Sequence, residues 1–156
     1  MLQLVRIDDR LVHGQVVVGW GNTLKFERII VCDSDLGQEE WEIELIKSAC
    51  PTEIEILFMT EEQLVSNTAN LAADPVKTIV LIGNLAVLGK LVSLQFPQYE
   101  INIGGIHYEA GREQLLSYLY LNNAEKEKLK SILNKGYYLF AQDLPNNKKI
   151  ELNDLI

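Results

Sequence analysis

The sequence predicts a doubly wound, mostly parallel α/β sheet with helices on both faces and extra edge strands near the C-terminus. Three observations carry this expectation. Short apolar runs recur along the 156-residue chain and alternate with amphipathic stretches of roughly ten residues, the pattern of repeated βαβ units. Turn or helix-capping residues punctuate these runs. The densest chemistry, from Arg6 to His13, falls where the first apolar run stops, and the carboxyl edge of such sheets is where ligands bind.

In chain order, Leu2 to Ile7 reads as a buried strand and Val16 to Trp20 as a helix opened by Gly14 and Gln15. Arg28 to Asp33 is the next strand. Ser34-Asp-Leu-Gly37 is a capping turn, and Gln38 to Cys50 is an amphipathic helix ended by Pro51. Ile54 to Met59 is a strand. Thr60 with Gln63 forms a capping box that opens a helix to about Ala72. Asp74-Pro75 breaks the chain before a strand over Lys77 to Ile82, and a helix from Ala86 to about Leu94 follows the loop at Gly83-Asn84.

Glu100 to Ile103 is a strand ending in Gly104-Gly105, whose backbone freedom suits a close approach to the loop that carries His13. His107 then reads either as an exposed loop residue or as a second acid-base group. Leu115 to Leu121 alternates as an extra strand. Asn123 caps a charged helix to about Asn134, closed by Gly136, and Tyr137 to Gln142 is a strand. Lys149 to Ile156 forms an edge strand or a terminal turn.

Composition narrows the class. The length suits one domain, 1–156, and 47% hydrophobic residues is ordinary for a globular chain. No apolar stretch approaches the roughly 18–20 residues of a membrane span, and the N-terminus lacks a signal-peptide layout, so a cytoplasmic location is expected. A net charge of −8 argues against a non-specific nucleic-acid binder. Cys32 and Cys50 share no C-x-x-C spacing and read as reduced packing residues. Gly83 to Lys90 imitates a P-loop, but it has five residues between its glycines instead of four and Leu91 in place of Ser or Thr. No metal motif and no cofactor is implied.

Within Arg6 to His13 stand two arginines, two aspartates and a histidine. A neutral imidazole nitrogen is a competent nucleophile toward phosphorus, and an imidazole of ordinary pKa, about 6.5, is mostly neutral at pH 7. Such a group needs its incoming anion neutralised, which Arg10 and Arg6 can do with planar donors. Asp8 and Asp9 can hold those arginines and fix the imidazole tautomer. Backbone N–H groups around Gly14, at a helix start, can complete a phosphate cradle. The same residues also suit a turn, a helix cap and a structural histidine.

The string Arg6-Ile-Asp-Asp-Arg-Leu-Val-His13-Gly-Gln resembles the active-site signature of IIB subunits of the mannose/fructose/sorbose family of the bacterial, PEP-dependent sugar phosphotransferase system. The likeness runs on through Arg28-Ile-Ile-Val-Cys-Asp33, Ala49-Cys50-Pro51, Asn102-Ile-Gly-Gly105 and Gln142-Asp-Leu-Pro145. It implies that His13 accepts a phosphoryl group, on its δ nitrogen, from a phosphohistidine of a IIA protein or domain. The group then passes to a sugar entering through IIC and IID membrane subunits. It also implies dimers or larger assemblies. The segment Val16-Val-Val-Gly-Trp20 departs from the family's usual continuation, and Trp20 suits either the core or a docking surface. Two rival readings stand beside this one: a regulatory phosphoprotein that reports phosphorylation state without transport, and a metal-dependent hydrolase using Asp8, Asp9 and His13 with His107.

Overall fold

The structure is a computed structural model that describes residues 1–36 and 38–156. Among the described residues, seven strands form an open sheet in the order β3-β2-β4-β1-β5-β8-β9. These are β1 (Leu2–Asp8), β2 (Arg28–Cys32), β3 (Glu55–Met59), β4 (Thr78–Ile82), β5 (Ile101–Gly105), β8 (Leu139–Ala141) and β9 (Ile150–Glu151). All neighbours pair in parallel except β8 and β9, so the tail is an antiparallel edge strand followed by a short 3-10 turn at Leu152–Asp154. The expected α/β sheet is the one observed.

Alternation along each strand divides the core into two layers. Val5, Ile7, Ile30, Val80, Ile82, Ile101 and Ile103 face one side. Leu4, Ile29, Val31, Ile79, Leu81 and Phe140 face the other. The first side is covered by α3 (Glu61–Ala73), α4 (Leu85–Ser93) and α5 (Asn123–Asn134) through Leu64, Leu88, Leu91 and Leu129. The second is covered by a π-helical turn at Gln15–Trp20, its continuation α1 (Gly21–Leu24), and α2 (Glu40–Ser48). A fully buried Leu or Ile contributes about 1.5–3 kcal/mol, so both layers are needed. Cys32 belongs to the first layer, where burial pushes its thiol up to about 12. Both cysteines are free.

The capping box at Thr60 forms as expected: Gln63 N–H donates to Thr60 Oγ1 at 3.2 Å and Thr60 N–H to Gln63 Oε1 at 2.9 Å. A second box opens α5, but its cap is Asn122 and not Asn123. Asn122 has extended backbone, and Glu125 stands three residues on, returning a bond to the Asn122 N–H at 2.9 Å. Leu115 to Leu121 is not one strand. It is a hairpin of β6 (Glu113–Leu116) and β7 (Leu119–Leu121) in a separate two-stranded sheet, with Leu116 opposite Leu119. A hairpin with a two-residue turn preserves the two-residue alternation, and Ser117-Tyr118 lacks the glycine or asparagine that marks such turns. In the turn after β2, Asp33 supplies the side-chain acceptor, to the Asp35 N–H at 2.9 Å. The remainder of that turn, Gly37, lies outside the described residues.

Topology places the site. After β1 the chain leaves toward β2 and β3. After β5 it leaves toward β8 and β9. Because β1 and β5 are neighbours whose connections diverge, their carboxyl ends flank the switch point of the sheet, the standard crevice for a ligand.

Candidate functional site

The Asp8 carboxylate is the hub of this crevice. It is fully buried, at the end of β1, and it accepts four hydrogen bonds from Arg6 and Arg10. Arg6 Nη2 donates to Oδ2 at 2.9 Å, Arg10 Nε to Oδ1 at 3.1 Å, Arg10 Nη2 to Oδ2 at 3.3 Å, and the Arg10 N–H to Oδ1 at 3.1 Å. His13 Nε2 stands 3.6 Å from Oδ2. Arg6, Arg10 and His13 thus converge on one oxygen. Of the two aspartates expected to hold the arginines, Asp8 alone bonds them, and it bonds both.

Arg6 differs from its expected role. Its side chain is fully buried. Its Nη1 donates to Asn102 Oδ1 at 2.5 Å and to the Gln142 carbonyl at 3.1 Å, while Asn102 Nδ2 bonds that same carbonyl at 3.0 Å. The Trp20 ring covers the guanidinium at 5.5 Å, and Trp20 Nε1 donates to the Asp143 carbonyl. Burial lowers the Arg6 pKa from its usual value, against the opposing pull of Asp8. A guanidinium so enclosed reaches His13 only through Asp8, so direct contact between Arg6 and a phosphoryl group does not fit this arrangement.

Arg10 is the exposed cation. Its side chain is 37% exposed, and its Nη2 also donates to Gln15 Oε1 at 2.8 Å. A planar fork braced on two sides keeps unused N–H donors facing outward.

The loop between Asp8 and His13 is a tight turn: the Leu11 N–H bonds the Asp8 carbonyl at 2.9 Å, and Leu11 itself has a left-handed φ of 54°. A bulky residue there is strained by about 1–3 kcal/mol. The strain aims the Leu11 carbonyl at the imidazole, where it accepts from His13 Nδ1 at 2.8 Å. Nδ1 is bonded to the Leu11 carbonyl and Nε2 is buried against Asp8 without a hydrogen-bond partner, although the side chain is 18% exposed. Presenting either nitrogen to a donor requires the ring to turn.

The His13 carbonyl accepts from Val16 and Val17, both at 3.0 Å, so the imidazole sits at the start of the π-helical turn. A Cβ on Gly14 would meet nothing within 4 Å. The backbone beside His13 is therefore open to approach from outside.

Asp9 departs from expectation: its carboxylate is bound to His107, through the backbone N–H at 2.7 Å and ring Nδ1 at 2.6 Å, and not to Arg6, Arg10 or His13. His107 consequently does not join Asp8 and His13 in a ligand set. Among the described residues, no group of three or more His, Cys, Asp or Glu is placed to hold a metal ion.

Asn102, Gln142, Leu11 and Gln15 stand in the strings that carry the family likeness, but the sequence assigned none of them a place in the site; Asn102 carried a further signal, as a polar side chain midway through the apolar strand Ile101-Asn-Ile103. Trp20 is buried, as core.

An open, doubly wound α/β domain with a histidine and an exposed arginine held on one carboxylate at its switch point has the makings of a phosphoryl-handling protein. Comparison with known proteins names the family. Residues 2–156 match the family described as PTS system sorbose subfamily IIB component. The N-acetylgalactosamine-specific phosphotransferase enzyme IIB component 1 of Escherichia coli (strain K12) is 30% identical over 97% of this chain and 96% of its own length. The sorbose-specific EIIB component of Klebsiella pneumoniae is 25% identical over 99% of this chain and 94% of its own length. The crystal structure of the Escherichia coli N-acetylgalactosamine-specific IIB component 1 superposes with a TM-score of 0.85, at 29% identity, over 96% of this chain and 98% of that one. The chain belongs to the sorbose-subfamily IIB components of the sugar phosphotransferase system and takes part in sugar phosphotransfer. Among the described residues, no helix is long and apolar enough to cross a membrane.

Proposed function

We propose that this chain acts as one IIB domain in which His13 accepts a phosphoryl group from a phosphohistidine of a IIA partner and passes it to a sugar entering through IIC and IID membrane subunits. The observation that carries this reading is the convergence of Arg6, Arg10 and His13 on the Asp8 carboxylate. Phosphoryl transfer needs little covalent work from a protein beyond positioning and charge neutralisation. Arg10, braced by Asp8 and Gln15, is the group that meets the phosphoryl oxygens, joined by the open backbone at Gly14. Arg6 acts from beneath, balancing the buried Asp8 charge so that the carboxylate stays fixed. As the imidazole turns out of its resting pose, a nitrogen lone pair attacks phosphorus while the bond to the donor imidazole breaks.

Relatives support the choice of phosphoryl donor. A mannose-specific EIIAB component of Escherichia coli (strain K12) matches all of this chain with 48% of its own length. That supports a IIA domain as the phosphoryl donor. Relatives are named for N-acetylgalactosamine, fructose, sorbose and mannose, so family membership alone selects no sugar.

The test is labelling with a phosphorylated IIA protein of the sorbose type. The wild-type chain becomes an acid-labile phosphoprotein, and His13→Ala takes no label. Undiminished labelling of that variant would refute the assignment.

A further inference from the structure

Beyond the carboxylate hub, a second set of contacts ties the His13 loop to the body of the protein. The Asp9 N–H donates to the Gly105 carbonyl at 3.0 Å. Its carboxylate takes both the backbone N–H and the ring Nδ1 of His107. A Cβ on Gly105 would lie 3.0 Å from Asp8 Oδ1 and 3.1 Å from His107 Cε1, so the His107 ring packs over Gly105 on the border of the Asp8 cluster. On its far side the His107 carbonyl accepts from Arg112 Nη1 at 2.8 Å. Arg112 is in turn gripped by Glu125 through three bonds of 2.7–3.1 Å, and Glu125 belongs to the capping box of α5. The anchoring path therefore runs from a helix terminus through Arg112 and His107 to Asp9.

Two facts give this path work to do. Leu11 is held in the left-handed region, and such a conformation persists only where its surroundings over-determine it. Asp9 is also the sequence neighbour of Arg10, and a free carboxylate there would compete with Asp8 for the guanidinium and repel an incoming phosphoryl anion. Holding Asp9 on His107 removes both problems.

We propose that His107 is a positioning residue for phosphoryl transfer: its ring clamps the Asp9 carboxylate, which fixes the Asp9–His13 loop and keeps a competing negative charge away from Arg10. This rests on His13 being the phosphoryl acceptor. His107 touches neither the reacting nitrogen nor the phosphoryl group in this scheme.

The experiment measures single-turnover phosphorylation of the full chain by a phosphorylated IIA protein over a range of donor concentrations. His107→Ala lowers the limiting rate constant about three- to tenfold, the range of one ordinary net hydrogen bond, with the half-saturating donor concentration within about twofold of wild type. His107→Asn, whose amide N–H reaches the place of Nδ1, recovers at least about half of the lost rate. Asp9→Ala matches His107→Ala, and the double variant is no slower than either, because both break one contact. In ¹⁵N spectra the His107 Nδ1 carries a proton in the wild type and loses that signature in Asp9→Ala, and His107→Ala shifts the Leu11 and His13 amides. An unchanged limiting rate constant in His107→Ala, no recovery in His107→Asn, or phosphoryl label on His107 itself overturns the proposal. If the wild type takes no label at His13, the acceptor reading has failed. The clamp is then judged by the ¹⁵N spectra alone, where unshifted Leu11 and His13 amides in His107→Ala overturn it.

Discussion

Arg6 and Asn102 stand opposite one another in the parallel ladder of β1 and β5, and the buried guanidinium donates to the amide oxygen at 2.5 Å. Together with the Gln142 carbonyl they form the polar floor on which Asp8 rests. A floor of this kind matters because a buried carboxylate stripped of its cation costs far more than a surface one.

Replacing Arg6 by Ala therefore leaves Asp8 buried and without its closest cation. The expected loss is about 3–5 kcal/mol of folding stability, which is the range for breaking a buried ion pair by removing one partner. Chemical denaturation checks it: the transition midpoint falls sharply while the slope is unchanged.

Gly104 is required for a steric reason. A Cβ at that position would lie 1.8 Å from Arg6 Cζ and 2.1 Å from both Nη atoms. Neither the guanidinium nor its partners can move without breaking the Asp8 bonds. Gly104→Ala is expected to destabilise by at least about 3 kcal/mol, at the upper end of overpacking costs. Comparing its thermal unfolding with that of Gly14→Ala, whose Cβ meets open space, separates the steric effect from the generic glycine effect.

Arg10 offers the opposite profile, since it is partly exposed and Asp8 keeps Arg6 when it is lost. Arg10→Ala should change stability by no more than about 1 kcal/mol yet slow phosphorylation of His13 about tenfold or more. Arg10→Lys recovers only part of the rate, because an ammonium cannot bond Asp8 and Gln15 together while facing a phosphoryl group. Single-turnover labelling with circular dichroism melts measures both quantities.

Acid weakens the α5 anchor. Burial alone would raise the Glu125 carboxyl, but the Arg112 hydrogen bond, the Asn122 N–H and the Arg112 charge hold it below its usual value. A folded-state value below the unfolded one gives stability that is fully present above pH about 4.3 and is lost as pH falls through the depressed value. Glu125→Gln removes this dependence. Melting temperatures from pH 7 down to pH 3 should converge between variant and wild type at the acid end.

Local pattern sufficed for the run of strands and helices outside the β6–β7 hairpin, for the Thr60 capping box and for the position of the His13 loop at a strand end, because periodicity and capping are local properties. The sequence also carried the string from Arg6 to Gln15 that marks the family. It did not tell that Arg6 faces inward, that Asn102 and the Gln142 carbonyl receive it, or that Asp9 belongs to His107. Those partners lie 96, 136 and 98 residues away in the chain, on or just beyond strands whose adjacency no local pattern encodes. Two arginines four residues apart look alike in sequence. Only the packing of β5 beside β1, and of β8 beside β5, buries one and leaves the other at the surface, since a buried guanidinium must find acceptors and these strands and their ends supply them.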